Sequence, residues 1–314
     1  MRTVLDNCLK PAVLLLFLMA AGLAHADIWT DAEHGYADND GTKIHYATAG
    51  QGPLVVMIHG FPDFWYSWRH QMEGLSDYFQ VVAVDQRGYN LSDKPAGDEN
   101  YDMSLLTADI AAVIRHLGQD RAVIVGHDWG GMVAWNFAFA YPQMVDRLVV
   151  LNLPHPNAML RELTINPEQR ANSGYAQRFQ QGKPSDPDIM FGGPMTPQTL
   201  AGWVRDPVVR QRYVEAFAQS DFDAMIAYYK RNYPPLPEYS ETPPPYTAPR
   251  LNVPLLVFHG LDDTALHSDG LNNTWDWNDA ATTIMAVPGA GHFVQQDAAE
   301  TVTNTLRWWL QANR

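Results

Sequence analysis

The sequence predicts an α/β fold, a mostly parallel sheet with flanking helices and an inserted helical cap. Two observations carry that expectation. Short, wholly apolar runs alternate with helical patterns along most of the chain, and the alternation breaks once, between about residues 154 and 249, where the periodicity turns helical and prolines punctuate it. The composition agrees, with 46% hydrophobic and 18% charged residues and enough Trp and Tyr for a sizeable core.

In order, an Asp-Gly turn within Asn39-Asp40-Gly41-Thr42 predicts an opening β-hairpin. The apolar runs at 54–58, 81–84, 122–125, 148–151 and 255–258 then end at glycine, aspartate, asparagine or histidine, as buried parallel strands do. Helical patterns at 105–117 and 132–141 separate them, and a further apolar run at 284–287 precedes a last helix at 298–310. The expected division is a core of residues 27–153 and 246–314, with a cap of residues 154–245. The stretch from Pro234 to Pro249 is too rich in proline for a helix and predicts a semi-rigid return to the core, or a plain solvated loop.

Residues 1–26 read as an export signal. Arg2 and Lys10 precede or flank the apolar run 12–23, and Ala24-His25-Ala26 has the small-x-small form of a cleavage site. The run is shorter than a spanning helix needs. Cleavage after Ala26 would remove Cys8, the sole cysteine, so disulfides and zinc-cysteine sites are excluded from the remainder. The net charge of −14 argues against nucleic acid or an anionic membrane as partner. No residue spacing calls for a metal or organic cofactor, and oligomeric state is not encoded in any pattern of the sequence.

Chemistry concentrates in four segments. Val125-Gly126-His127-Asp128-Trp129-Gly130-Gly131 joins an apolar strand to a helix through a tight, glycine-flanked turn, the form of a nucleophile elbow. Its middle residue is a carboxylate, Asp128, where serine is usual. A carboxylate displaces at saturated carbon and leaves an alkyl ester on the enzyme, which water must then hydrolyse; the alternative for Asp128 is a helix N-cap. Pro288-Gly289-Ala290-Gly291-His292-Phe293, after the last apolar run, offers His292 as base. The orienting acid is expected between them, and His259-Gly260-Leu261-Asp262-Asp263 supplies two neighbours, of which Asp263 is chosen because adjacent side chains point opposite ways. His59-Gly60-Phe61-Pro62 can form an oxyanion hole from the N–H groups of Phe61 and Trp129.

Together these segments resemble the soluble epoxide hydrolases of the α/β-hydrolase superfamily, over essentially the whole chain after residue 26. The likeness continues through Asn152-Leu153-Pro154-His155-Pro156 and into the cap, where Tyr175-Ala176-Gln177-Arg178-Phe179-Gln180 and Ile226-Ala227-Tyr228-Tyr229-Lys230 are similar to the segments that carry two ring-opening tyrosines. The resemblance implies an epoxide and water as substrates, no cofactor, and Tyr175 and Tyr229 as donors to the epoxide oxygen, with Tyr228 a one-residue slip from Tyr229. Departures are Asn90, Ala227 and Lys230, where relatives often carry glycine, asparagine and arginine; Asn90 is expected to alter a loop bordering the pocket.

Haloalkane and haloacid dehalogenases resemble the chain in nucleophile, histidine and fold. Haloalkane dehalogenases usually have asparagine or glutamate where this chain has Phe61, and fluoroacetate dehalogenases carry arginines near the nucleophile where it has Trp129 and Met132; Trp129 itself does not discriminate, since halide-binding sites also use it. A ligand-sensing protein that has lost turnover is a further alternative, at odds with the complete set of reactive residues.

Overall fold

The computed structural model describes residues 27–190 and 192–312; the predicted export signal lies outside them. Among the described residues eight strands form one sheet: β1 (Glu33–Asn39), β2 (Thr42–Ala49), β3 (Leu54–Ile58), β4 (Gln80–Val84), β5 (Ala122–His127), β6 (Val145–Leu151), β7 (Leu255–Gly260) and β8 (Thr282–Val287). Their spatial order is β1-β2-β4-β3-β5-β6-β7-β8, antiparallel only where β2 meets β1 and β4. The central strands β3, β5 and β7 are buried at every position, which is why they read as unbroken apolar runs. β8 is an edge strand and mostly half-buried, so its apolar run covers only the last four of its six residues.

Twelve α-helices among the described residues accompany the sheet. Around the core lie α1 (Ile28–Asp31), α2 (Arg69–Leu75), α3 (Met103–His116) and α4 (Trp129–Ala140). The cap holds α5 (Pro156–Ile165), α6 (Pro167–Asn172), α7 (Gly174–Gln181), α8 (Pro197–Leu200), α9 (Pro207–Gln219) and α10 (Phe222–Asn232). α11 (Val294–Asp297) and α12 (Ala299–Ala312) close the core. α4 is apolar on all sides because the helix after the elbow is packed within the core, whereas α12 buries one stripe, Val302, Leu306, Trp309 and Leu310. No helix among the described residues is long and apolar enough to cross a membrane.

The cap prolines prove to be helix starters. Pro156, Pro167, Pro197 and Pro207 each stand in the first turn of a helix, where the missing N–H costs no hydrogen bond. Asn166, Thr196 and Asp206 precede them and accept hydrogen bonds from the free N–H groups of the first turn, as Asp221 does for α10. The proline-rich return after α10 has no regular structure and is mostly exposed, yet it is pinned: Asn157 Oδ1 accepts from Thr247 N and Ala248 N, and Arg170 Nη1 donates to Pro237 O.

A buried ion pair ties these layers together. Arg87, just after β4, donates through Nε and Nη2 to both Asp109 oxygens on α3, each at 2.6 Å. Asn39 of β1 donates to the same carboxylate at 2.7 Å, and the Arg87 carbonyl accepts from Tyr228 of the cap. Removing one partner leaves a charge stranded in the core. Asp109→Ala is therefore expected to lower the unfolding free energy by about 3–5 kcal/mol, read from urea denaturation. Asp146→Ala, which breaks the exposed Arg121 pair, should change it by less than about 1 kcal/mol.

Candidate active site

β5 delivers the chain to Asp128 at the carboxyl edge of the sheet, the place where strand-to-helix turns in such sheets present reactive groups. Asp128 has φ 51° and ψ −120°, a backbone conformation that costs an L residue free energy and holds its carboxylate away from the turn. The N-cap alternative does not hold, since the side chain makes no capping bond to α4. Close approach explains two of the glycines: a Cβ on Gly130 would stand 2.0 Å from the Ile58 carbonyl oxygen, and one on Gly60 would stand 2.4 Å from Asp128 Cβ.

The two oxygens of Asp128 have different surroundings. Oδ1 accepts from the Phe61 N–H at 2.8 Å, and Oδ2 lies 3.4 Å from His292 Nε2. Of the two expected oxyanion donors, Phe61 is thus in contact with the carboxylate; Trp129 holds the first position of α4, where its N–H has no partner within the helix.

His292 Nδ1 lies 2.9 Å from Asp263 Oδ2. Asp263 is fixed in turn by Ala265 N and Leu266 N on Oδ1 and by Asn152 Nδ2 on Oδ2. Its side chain is fully buried, whereas Asp262 is exposed, so the structure places Asp263 and not its neighbour against the histidine. Burial alone would lower the His292 pKa, but the Asp263 and Asp128 carboxylates hold it well above the ordinary histidine range. Burial would likewise raise both carboxylates, and His292 keeps each below the usual aspartate value.

Tyr175 on α7 and Tyr229 on α10 meet beside Asp128 in the cavity wall, ring centroids 5.9 Å apart and edge to face. Burial, then each other or nearby phenols and the Asp128 charge, push both well above the ordinary tyrosine value. Tyr228 faces the other way, its hydroxyl donating to the Arg87 carbonyl, so of the two neighbours Tyr229 is the one in the cavity wall. A cavity of about 460 Å³ opens over Asp128 and His292, with both tyrosines, Phe179, Trp203 and Phe293 in its walls.

Several residues of the site escaped the sequence reading. His127 Nε2 lies 2.7 Å from the His292 carbonyl and must donate to it; burial and then His292 push the His127 pKa down to about 4, so the ring is neutral. Asn152, with φ 46°, holds Asp263 although its motif read only as the exit from the core. Asp63, two residues past Phe61, accepts from Tyr213 of the cap at 2.7 Å and from Ser67 at 2.6 Å, and burial pushes its pKa up to about 7. Asn90 corrects an expectation. Its loop does not border the main cavity; with φ 40° it takes the conformation that glycine favours, and its Nδ2 donates to the buried Asp85.

Glu162, His267 and Asp269 bring ligand-type atoms within 4.8 Å of one another. Both Glu162 oxygens already accept from Arg161 and Asn166, and His267 Nδ1 accepts from Asp269 N, so these groups serve the cap–core joint.

A family model described as the alpha/beta hydrolase fold matches residues 53–299. Epoxide hydrolase 1 of Caenorhabditis elegans is 32% identical over 289 residues, 85% of this chain and 68% of that protein. Epoxide hydrolase 3 of Xenopus tropicalis is 32% identical over 302 residues, 89% of this chain and 78% of that protein. Among solved structures, a Bacillus megaterium epoxide hydrolase in complex with an inhibitor superposes with a TM-score of 0.77 at 32% identity, covering 89% of this chain and all of that one. The sheet order, the aspartate-bearing elbow and these relatives agree: the chain belongs to the epoxide hydrolases of the α/β-hydrolase superfamily.

Proposed function

We propose that this chain converts an epoxide and water to a vicinal diol through an alkyl ester on Asp128, and the observation that carries the reading is the division of labour between the two Asp128 oxygens. Oδ1, held by the Phe61 N–H, is the oxygen that becomes the ester carbonyl; Oδ2, facing His292, is the one free to attack. In the first step Oδ2 bonds to an epoxide carbon, the carbon–oxygen bond of the ring breaks, and the oxygen takes a proton from the Tyr175–Tyr229 pair. Because both phenols are raised above their ordinary value, they reach neutral pH protonated and can give a proton to the far more basic alkoxide.

In the second step a water attacks the Asp128 carbonyl carbon and gives one proton to His292 Nε2, while Asp263 steadies the charged ring. Negative charge gathers on Oδ1, where the Phe61 N–H and the Trp129 N–H, which has no partner within α4, receive it. The ester bond then breaks, His292 protonates the departing diol oxygen, and the remaining carboxyl proton restores the tyrosine. Residues 27 onward carry all of these groups, so export with cleavage after Ala26 would leave the machinery intact.

Charge changes couple the two steps. In the resting protein His292 faces two carboxylates that favour its protonated form; alkylation neutralises Asp128 and removes one of them, so the ring loses its proton more readily when a base is needed. Asp128→Asn imitates that neutralisation. The His292 pKa, followed by NMR titration of the ring, should fall in the variant relative to the parent chain, and an unchanged value would contradict the coupling.

Removing the base should separate the steps. His292→Gln is expected to open the ring but stall hydrolysis, so intact-mass analysis after exposure to styrene oxide should find the protein heavier by one epoxide. Turnover without any adduct would refute the covalent route. Tyr229→Phe should slow ring opening by roughly 10²-fold or more, read in single-turnover stopped flow; a rate equal to the parent's would remove Tyr229 from the proposed step.

A further inference from the structure

Trp203 lies in the cap between α8 and α9, and its indole is flat against Phe293, with ring centroids 3.9 Å apart and planes 3° from parallel. Phe293 directly follows His292, the two rings edge to face at 5.2 Å. The stack therefore joins the cap to the loop that carries the proposed base, and both of its rings line the main cavity. On its other contact Trp203 meets Tyr213 edge-on at 5.4 Å, the same tyrosine that binds Asp63 beside the oxyanion loop. Phe61, Tyr175, Phe179 and Tyr229 form a different aromatic set, packed edge to face among themselves, which surrounds the reacting end.

Two features make Trp203 a wall that can be displaced. The stack holds the two rings by face-to-face packing, a contact that a flat ring of a ligand can reproduce on Phe293. The Trp203 Nε1–H is also buried without a hydrogen-bond partner, and turning the indole outward would return that group to water. A planar group from a ligand could then take its place on the exposed face of Phe293.

We propose that Trp203 is a specificity-determining gate: closed on Phe293 it limits the size of the group an epoxide carries, and opened it admits long, flat aryl substituents. The proposal rests on the function proposed above and names the substrate class for that site. Opening the wall acts on the substituent, not on the reacting carbon, so it separates substrates by size.

Styrene oxide and 4-phenylstyrene oxide differ by one flat ring and serve as probes, with their diols for equilibrium binding by calorimetry. Trp203→Ala should raise the kcat/KM ratio of the larger to the smaller epoxide by roughly tenfold, and should shift the ratio of diol affinities the same way. Trp203→Leu, which keeps more apolar volume, should move both ratios in the same direction and decides the matter if the alanine variant does not fold by circular dichroism. Ratios within twofold of the parent chain in the folded variants would overturn the gate. A parent chain that hydrolyses neither epoxide, with diol selectivity still shifted by the variants, would overturn the proposed reaction while supporting the gate.

Discussion

The structure is organised around a single strained residue. Asp128 sits at φ 51° so that one carboxylate can be divided, one oxygen to the Phe61 N–H and the other to the His292 side. That placement requires β5 to end at the edge of the sheet, α4 to begin at once, and glycine at Gly60 and Gly130 where no side chain fits. Strain of this kind persists only where the surroundings over-determine it, and here the neighbouring strand, the Phe61 loop and the helix do so together.

The supporting groups form shells around that point. Asp263, held by two backbone N–H groups and Asn152, orients His292, while His127 holds the His292 backbone. Farther out, the cap is fastened to the core by polar contacts that close over the oxyanion loop, Tyr213 to Asp63, and by Tyr228 to Arg87 behind Tyr229. Each fastener lies next to a segment that lines the cavity, the Phe61 loop or α10, so the stability of the cap and the geometry of the site depend on the same contacts. The Trp203–Phe293 stack differs from these in being a contact of ring faces, with the Trp203 Nε1–H left unpaired.

What could be read from the sequence is what local physics dictates. Buried parallel strands must be apolar on both faces, so β3, β5 and β7 stood out, and the elbow announced itself because a tight strand-to-helix turn needs small residues around one exposed side chain. The cap was visible as a break in alternation, though its prolines read as breaks and not as the first turns of α5, α6, α8 and α9. The choice of Asp263 over Asp262 rested on alternating side-chain direction, and the structure buries the one and exposes the other. Asn152, His127 and Asp63 were missed for a common reason. Their partners lie 111, 165 and 150 residues away, so nothing near them in the chain signals the contact. Asn90 was noticed for its identity but assigned to the wrong neighbourhood, since a residue type does not say which cavity its loop faces.

The central claim is that a carboxylate oxygen of the protein becomes an oxygen of the product. A single turnover in ¹⁸O-labelled water, with enzyme in excess over epoxide, tests it directly by mass spectrometry of the diol and of the peptide containing Asp128. The proposed ester route gives an unlabelled diol and one heavy oxygen in the Asp128 carboxylate. Label in the diol at the first turnover, with the peptide unlabelled, would mean that water attacks the epoxide itself and that Asp128 never bonds to carbon.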